Sequence, residues 1–428
     1  MTSSHPRRTV AIPPPAADVR RSVLPNGLRV LTDTVVGAPS ATFAVWVGVG
    51  GRDEPAPQAG ASHFLEHLLF KGTETRDALD LALAIDGVGG DMNAYTASEY
   101  TAYFARVPAT EADVALDVLL DVVSAPLLGE DDLEAEREVI LEELAAADDD
   151  PEDVVSVRLF ESLFPDHPLG REVLGTESSI EQLRRDEVVG FFSKWYGPSN
   201  LVITGSGLVD HDQLVAEAAE RFSTVGPGPR PTRNAPTPSV IDVVREHRPV
   251  ELVHLALGWR TGGATDDDRF ALGLLNHVFG TGPSSRLFQQ VREHRGLTYS
   301  ISSGVSHYSD AGALSVQCAT SPAKAAEVLE VVAAEVEDLA EHGVTSAELA
   351  RAQRALRGSL VLGLEDSGSR GARLGIAETV RGEVTPLSEH LARIDAVTEA
   401  DVARVAAQVL RGPRALAVVG PGDLDHLS

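Results

Sequence analysis

Cysteine is almost absent. Cys318 is the only one in 428 residues, so no intrachain disulfide can form, and the expected setting is a reducing compartment, the cytoplasm. Long apolar runs are absent too. Nothing approaches the ~20 residues that a bilayer-spanning helix needs. The N-terminal MTSSHPRRTVAIPPPAADVRR carries basic residues without an apolar stretch, so neither a membrane span nor a secretory signal is expected, and its prolines suggest a flexible lead-in over residues 1–17. Aromatics are only 5 %, which leaves Val, Leu and Ala to fill the cores. Basic residues are scarce as well: 36 Lys and Arg face 64 Asp and Glu, a net charge of −28. Nucleic acid is thereby excluded as a natural partner. The surplus keeps the chain soluble, and concentrated in a cleft it would draw in basic peptides.

What is present suffices for two domains of about 200 residues each, with hydrophobic residues at 43 %. Strands are expected within 22–50, a helix near 58–70, a turn and two strands over 89–107, helices over 111–124 and 130–148, a loop at 165–176 and a strand at 201–207. The Pro- and Gly-rich GPGPRPTRNAPTPS (226–239) has no hydrophobic period and reads as a linker. The boundaries expected from it are a first domain over 18–225, a linker over 226–245 and a second domain over 246–428. After the linker the pattern restarts. VELVHLALGWRTGG (250–263) parallels ATFAVWVGVGGRDE (41–54), and FALGLLNHVFG (270–280) parallels SHFLEHLLFKG (62–72). ISSGVSHYSDAGALSVQCAT (301–320) takes the hairpin place, and ELARAQRALRGSL (348–360) parallels LEAEREVILEELA (133–145). One α+β unit is duplicated.

The chemistry concentrates in the first copy. His63, Glu66 and His67 form H-x-x-E-H within an apolar helical pattern. Residues three and four apart share a helix face, so both imidazoles can reach one metal ion at about 2.0–2.1 Å. Glu66 stands beside them, placed to take a proton from a water that the ion acidifies. A catalytic zinc needs a third protein ligand. The strongly acidic helix at 130–148 offers Glu130, Glu134, Glu136, Glu138, Glu142 and Glu143. Glu136 and Glu143 lie two turns apart on one face, so one can bind the metal while the other orients a histidine. The duplication supplies a control. With Phe70 set on Phe279, His63, Glu66 and His67 fall opposite Leu272, Leu275 and Asn276; with Leu133 set on Leu349, Glu136 and Glu143 fall opposite Ala352 and Ser359. The second copy keeps the helical pattern and sheds the polar set. His167 sits in a Pro-flanked loop and reads as structural; His254, His277 and His307 lack ligand spacing. Cys318 reads as a small core residue.

His63-Phe-Leu-Glu-His67 followed by Leu-Leu-Phe-Lys-Gly-Thr73 resembles the active-site helix of the pitrilysin/insulinase family of zinc peptidases, and is most similar to the mitochondrial processing peptidase β-subunit and its bacterial relatives. The resemblance runs from about residue 20 to the end and includes Asn93-Ala94-Tyr95 after Gly89-Gly90, HPLGR (167–171) and GPSSRLFQQVREHRGLTYS (282–300). It implies Glu143 as third ligand, about 76 residues after His67, and Glu136 as the family's other important glutamate; Glu142 is the competing candidate. It further implies one Zn2+ per chain and two similar domains, each a mostly antiparallel sheet flanked by helices, closing around a chamber for extended peptides. Asn93, Ala94 and Tyr95 would lie on a sheet edge that pairs with substrate backbone. Arg292 and Tyr299 would reach across from the second domain to stabilise developing negative charge. The expected activity is endopeptidase cleavage of peptides or short unfolded segments, by a homodimer or a heterodimer with an inactive paralogue. The contrasting expectation is a non-catalytic core or assembly subunit of the same fold.

Overall fold

The computed structural model describes residues 18–427; the lead-in expected over 1–17 lies outside them. The first half contains strands β1 (Asp18–Val23), β2 (Arg29–Thr34), β3 (Ser40–Val47), β4 (Asp91–Thr96), β5 (Thr101–Pro108) and β6 (Leu201–Gly207). Its helices are α1 (Ala61–Leu68), α2 (Ala78–Asp86), α3 (Ala112–Ser124), α4 (Glu130–Asp149), α5 (Pro151–Leu163), α6 (Glu177–Gln182), α7 (Arg185–Trp195) and α8 (His211–Arg221). The second half contains β7 (Val243–His247), β8 (Val253–Thr261), β9 (Thr298–His307), β10 (Gly312–Thr320) and β11 (Arg414–Gly420). Its helices are α9 (Arg269–Gly280), α10 (Ala325–His342), α11 (Ser346–Gly363), α12 (Ser367–Ile376), α13 (Leu387–Ala396) and α14 (Glu399–Leu410). Among the described residues no helix is long and apolar enough to cross a membrane.

The strand orders are β1-β2-β6-β3-β5-β4 and β7-β11-β8-β10-β9. Neighbours are antiparallel except for one parallel pair in each sheet, β2 with β6 and β7 with β11. With β1 set aside, the two orders superpose strand for strand. The repeated sequence segments land on equivalent elements: β3 and β8, α1 and α9, the β4–β5 and β9–β10 hairpins, α4 and α11.

Strand alternation shows how the halves join. In β3, Phe43, Val45 and Val47 enter the main core of the first half, while Ala44 and Trp46 face the other side, as period-two geometry requires. That other side is covered by a helix from the second half, α12, through Leu374. Its Ser367, Gly371 and Gly375 recur every four residues, and a Cβ on Gly375 would lie 2.0 Å from the Trp46 ring, so only glycine lets the helix come this close. The second sheet mirrors the arrangement. Ala256, Ala415, Ala417 and Val419 face α5 of the first half, through Val155, Leu159 and Leu163, and Gly258 makes room for Leu159 and Leu163. Each half lends one helix to the other's sheet.

A buried ionic cluster ties the β4–β5 turn to the β9–β10 turn. Arg52 donates to Glu99 at 2.5 Å, to both oxygens of Asp310 at 2.7 and 2.8 Å, and to the Asn234 carbonyl at 2.7 Å. Arg233 forks onto Asp53 at 2.8 and 2.9 Å and reaches the Glu99 carbonyl. Ser309 donates its N–H and hydroxyl to the Glu99 carboxylate. Arg52→Met, uncharged, would leave Glu99 and Asp310 without the guanidinium between them. Arg233 and Ser309 still serve Glu99, so the expected loss lies at the low end for a broken buried pair, about 3 kcal/mol, read by denaturant unfolding of the full chain. A loss below about 0.5 kcal/mol, the size of an ordinary surface change, would show that this cluster does not hold the halves together.

Candidate metal centre

Helix α1 is short, eight residues, and is fixed at both ends. Before it, Gly60 adopts φ 92°, the left-handed region. The buried Glu54 carboxylate then accepts the N–H groups of Gly60 at 2.7 Å and Ser62 at 2.6 Å, filling donors that a helix start leaves open. Burial pushes Glu54 up to about 7, against the pull of these backbone bonds. After the helix, Thr73, Thr75 and Arg76 all donate to the buried Asp121 of α3. Phe64, Leu65 and Leu68 anchor α1 in the core, which turns His63, Glu66 and His67 toward α4.

Helix α4 buries Leu133, Glu136 and Ile140 along one stripe. Glu143 continues that stripe one turn on, at the point where it becomes accessible. Its Oε2 lies 3.7 Å from His63 Nε2 and 3.5 Å from His67 Nε2. Among the described residues, His63, His67 and Glu143 form a group whose donor atoms all lie within 4.8 Å of one another; Glu142 is not part of it. The imidazole centroids are 4.7 Å apart with planes at 69°. Burial, then the neighbouring His67, push His63 down to about 4, so its ring is uncharged at neutral pH. Glu136 Oε2 lies 2.8 Å from His67 Nδ1. An ionised carboxylate can only accept, so Nδ1 carries a proton, and Nε2, on the side of Glu143, is the atom left to meet a metal. Burial alone would raise Glu136; its bonds to Lys71 and His67 outweigh this and hold it below the usual carboxylate range. Two imidazole nitrogens and one carboxylate oxygen are a donor set suited to a catalytic zinc with one position left open. The residues present fit that ion.

Glu66 stands on the same face. Thr96, the last residue of β4, donates its hydroxyl to Glu66 Oε2 at 2.5 Å, and burial raises the pKa of this carboxyl. His63, Glu66, Tyr95 and Thr96 open onto a cleft of about 820 Å³, which α5, the 169–176 loop and Tyr308 of the second half complete. Strand β4 is the edge of its sheet. Asn93 on it is exposed and Ala94 half-buried, while Tyr95 packs edge-on against Trp46, Tyr100 and Phe104.

Arg292 and Tyr299 lie near each other in the second half. The Arg292 guanidinium sits 4.6 Å from the Phe288 ring centroid and 5.3 Å from that of Tyr299, and Tyr299 is 86 % exposed. Among the described residues no hydrogen bond, ion pair or ring contact joins this pair to His63, Glu66, His67 or Glu143. His167 binds locally, to the Asn234 carbonyl and the Leu169 N–H, and His254, His277 and His307 stand outside the cluster. Cys318 is buried in β10. Glu54, Thr96, Asp121 and Lys71 contribute to the centre without having been singled out from the sequence. Only Lys71 carried a local signal, four residues after His67.

Two family models match the chain: insulinase (peptidase family M16) over residues 29–177, and the peptidase M16 inactive domain over residues 182–356. The latter covers Leu272, Leu275, Asn276 and Ala352, which stand where the first copy has its polar set. The chain is 45 % identical to a zinc protease of Mycobacterium tuberculosis, over 97 % of this chain and 96 % of that one. It is 44 % identical to one of Streptomyces coelicolor over 94 % and 90 %, and 32 % identical to one of Bacillus subtilis over 94 % and 98 %. Among solved structures, a protease from Helicobacter pylori is similar at TM-score 0.87 and 22 % identity, over 95 % of this chain and all of that one. A peptidase M16 inactive domain from Pseudomonas fluorescens is similar at the same TM-score and identity, over 95 % and 98 %. At that identity, the two structures speak to the fold.

Proposed function

The chain belongs to the insulinase (M16) family of peptidases, and on that premise we propose that it is a zinc-dependent endopeptidase acting on peptides and short unfolded segments. The observation that carries this reading is the approach of His63, His67 and Glu143 to within one coordination sphere of each other, with Glu66 beside them on an open cleft. His63 and His67 would hold zinc through Nε2 and Glu143 through a carboxylate oxygen, with Glu136 fixing the His67 ring. When bound, the ion supplies Lewis acidity to water and to the scissile carbonyl. Thr96 steadies the Glu66 carboxylate through Oε2, and that carboxylate would accept the proton of the attacking water. The raised affinity of Glu66 for that proton suits the return step, in which it is delivered to the leaving amine. A substrate strand would add to the β4 edge at Asn93, Ala94 and Tyr95, taking the Ala94 N–H that Asn93 Oδ1 now accepts. Arg292 and Tyr299 would act from the second half once substrate bridges the two.

The cleft also bears on substrate choice. Phe160, Leu169 and Tyr308 give it an apolar floor, and Asp153 and Glu172 give it carboxylates outside the ion pairs that hold Glu161 to Arg158 and Asp148 to Arg248. Of its two arginines, Arg158 is paired with Glu161 and Glu246, and Arg171 donates to the Glu54 carbonyl. Basic side chains with long apolar stems match such a wall. We take the working unit as two domains, 18–225 and 246–428, in a cytoplasmic homodimer or a heterodimer with an inactive paralogue, whose closed chamber excludes folded proteins. Metal-replete purification should give about one zinc per chain, and the same sample should cleave a mixed peptide library with a bias to basic peptides. Bound zinc without peptide turnover would favour the assembly-subunit role, and absence of zinc would remove the metallopeptidase reading.

A further inference from the structure

Lys71 follows α1 directly, at the end of the 3-10 turn Leu69–Lys71, four residues after His67. Its Nζ meets Oε1 of Glu136, while Oε2 of that carboxylate meets His67 Nδ1 at 2.8 Å. One carboxylate from α4 is thus gripped at both oxygens by two side chains from the end of α1, and with each oxygen occupied its plane is set. We propose that Lys71 is a positioning residue of the metal centre, acting through Glu136 to fix the orientation and tautomer of His67. This rests on the zinc-site reading above.

Three observations lead here. The Glu136 side chain is only 7 % exposed, and a buried carboxylate requires compensation. A histidine that binds metal through Nε2 is neutral, so it gives Glu136 a hydrogen bond but no charge. Among the described residues, Lys71 is the one Lys or Arg in ion-pair range of Glu136. Second, Lys71 is 36 % exposed at its side chain, and the chain around it is held by other contacts, Leu68 and Leu69 in the core and Thr73 on Asp121. Its removal disturbs charge more than packing. Third, the internal duplication drops this residue together with its partners. With Phe70 set on Phe279, Lys71 falls opposite Gly280, where a Cβ would lie 2.5 Å from the Ser303 hydroxyl, and Glu136 falls opposite Ala352. The half without the ligand set has neither the ammonium nor the carboxylate.

The test is the zinc affinity of the full chain, measured by competition with a chromophoric chelator. Lys71→Met and Lys71→Gln should each weaken zinc by about 10-fold, the low end of the range for loss of a direct outer partner of a metal ligand, because Lys71 acts one contact further out, and Lys71→Arg should recover most of it. Adding Lys71→Met to Glu136→Gln should weaken zinc no further than Glu136→Gln alone, because both act through one carboxylate. In the Glu136→Gln background, where no buried carboxylate is left unpaired, adding Lys71→Met should leave the thermal midpoint of the zinc-free protein unchanged, which a purely structural role at the end of α1 would not allow. Unchanged zinc affinity in both neutral variants, or additive losses in the double variant, would overturn the proposal while leaving the zinc site standing. A wild-type chain that binds no zinc would remove both.

Discussion

Glu66→Gln should abolish peptide hydrolysis while leaving the fold and the bound zinc in place. Glutamine has nearly the same shape, and its amide oxygen can still accept from the Thr96 hydroxyl that holds Oε2, so the end of β4 has no reason to move. Glu66 is outside the donor group of His63, His67 and Glu143, so zinc content should remain about one per chain. What glutamine cannot do is accept a proton. Positioned acid–base groups typically contribute 10²–10⁴-fold, and a fall in kcat toward the upper end, about 10⁴-fold with little change in KM, is expected because in the proposed mechanism one group would serve both proton transfers. The wild-type pH profile supplies a second reading. Burial raises the pKa of Glu66, and the attacking step needs its ionised form. The acid limb of kcat/KM should therefore fall at a higher pH than an ordinary solvated carboxylate would give. Turnover retained in Glu66→Gln takes this residue out of the mechanism.

The sequence reveals the centre unevenly, for identifiable physical reasons. His63, Glu66 and His67 are close in the chain, so helix geometry alone puts them on one face. The third donor lies on another helix, and periodicity leaves Glu136, Glu142 and Glu143 all open. Family resemblance selects among them, and the structure shows the geometric basis: the stripe Leu133, Glu136, Ile140 is buried, which turns Glu143 toward the histidines. The duplication itself is legible because β3 and β8 both alternate, with Phe43, Val45 and Val47 in one core and Leu255, Leu257 and Trp259 in the other; the order of the strands is not. Nor is the exchange of α5 and α12 between the halves. An amphipathic pattern tells which face of a helix is apolar and not which sheet it will cover. The small residues that accept these helices, Ala256, Gly258 and Ala415 on one sheet and Ala44 on the other, read along the chain as ordinary strand residues. Glu54 is also hidden. It serves the first turn of α1 only because the backbone folds back at Gly60, a tertiary fact with no periodic signature.

Removing the carboxylate donor should separate metal binding from folding more cleanly than any histidine change. The Glu143 side chain is 43 % exposed, and substitutions at exposed positions away from special features usually stay within about 0.5 kcal/mol. Glu143→Ala should therefore fold like the unmodified chain. Its effect on zinc should be large. Loss of an outer partner weakens metal by about 10- to 100-fold, and on the proposed reading Glu143 would supply one of the three donors themselves, so a loss above 100-fold is expected, with hydrolysis falling in parallel. Chelator treatment of the wild type should reproduce the inactive state, and added zinc should restore activity there and not in the variant at matched concentration. Glu142→Ala is the control that gives the experiment its force. Glu142 neighbours Glu143 in the chain and has the same chemistry, yet it lies outside the donor group, so its removal should leave zinc affinity and turnover unchanged. If Glu142→Ala loses the metal and Glu143→Ala keeps it, the third ligand has been assigned to the wrong side chain. If both keep it, two histidines alone hold the ion, and the convergence of α1 and α4 needs another explanation.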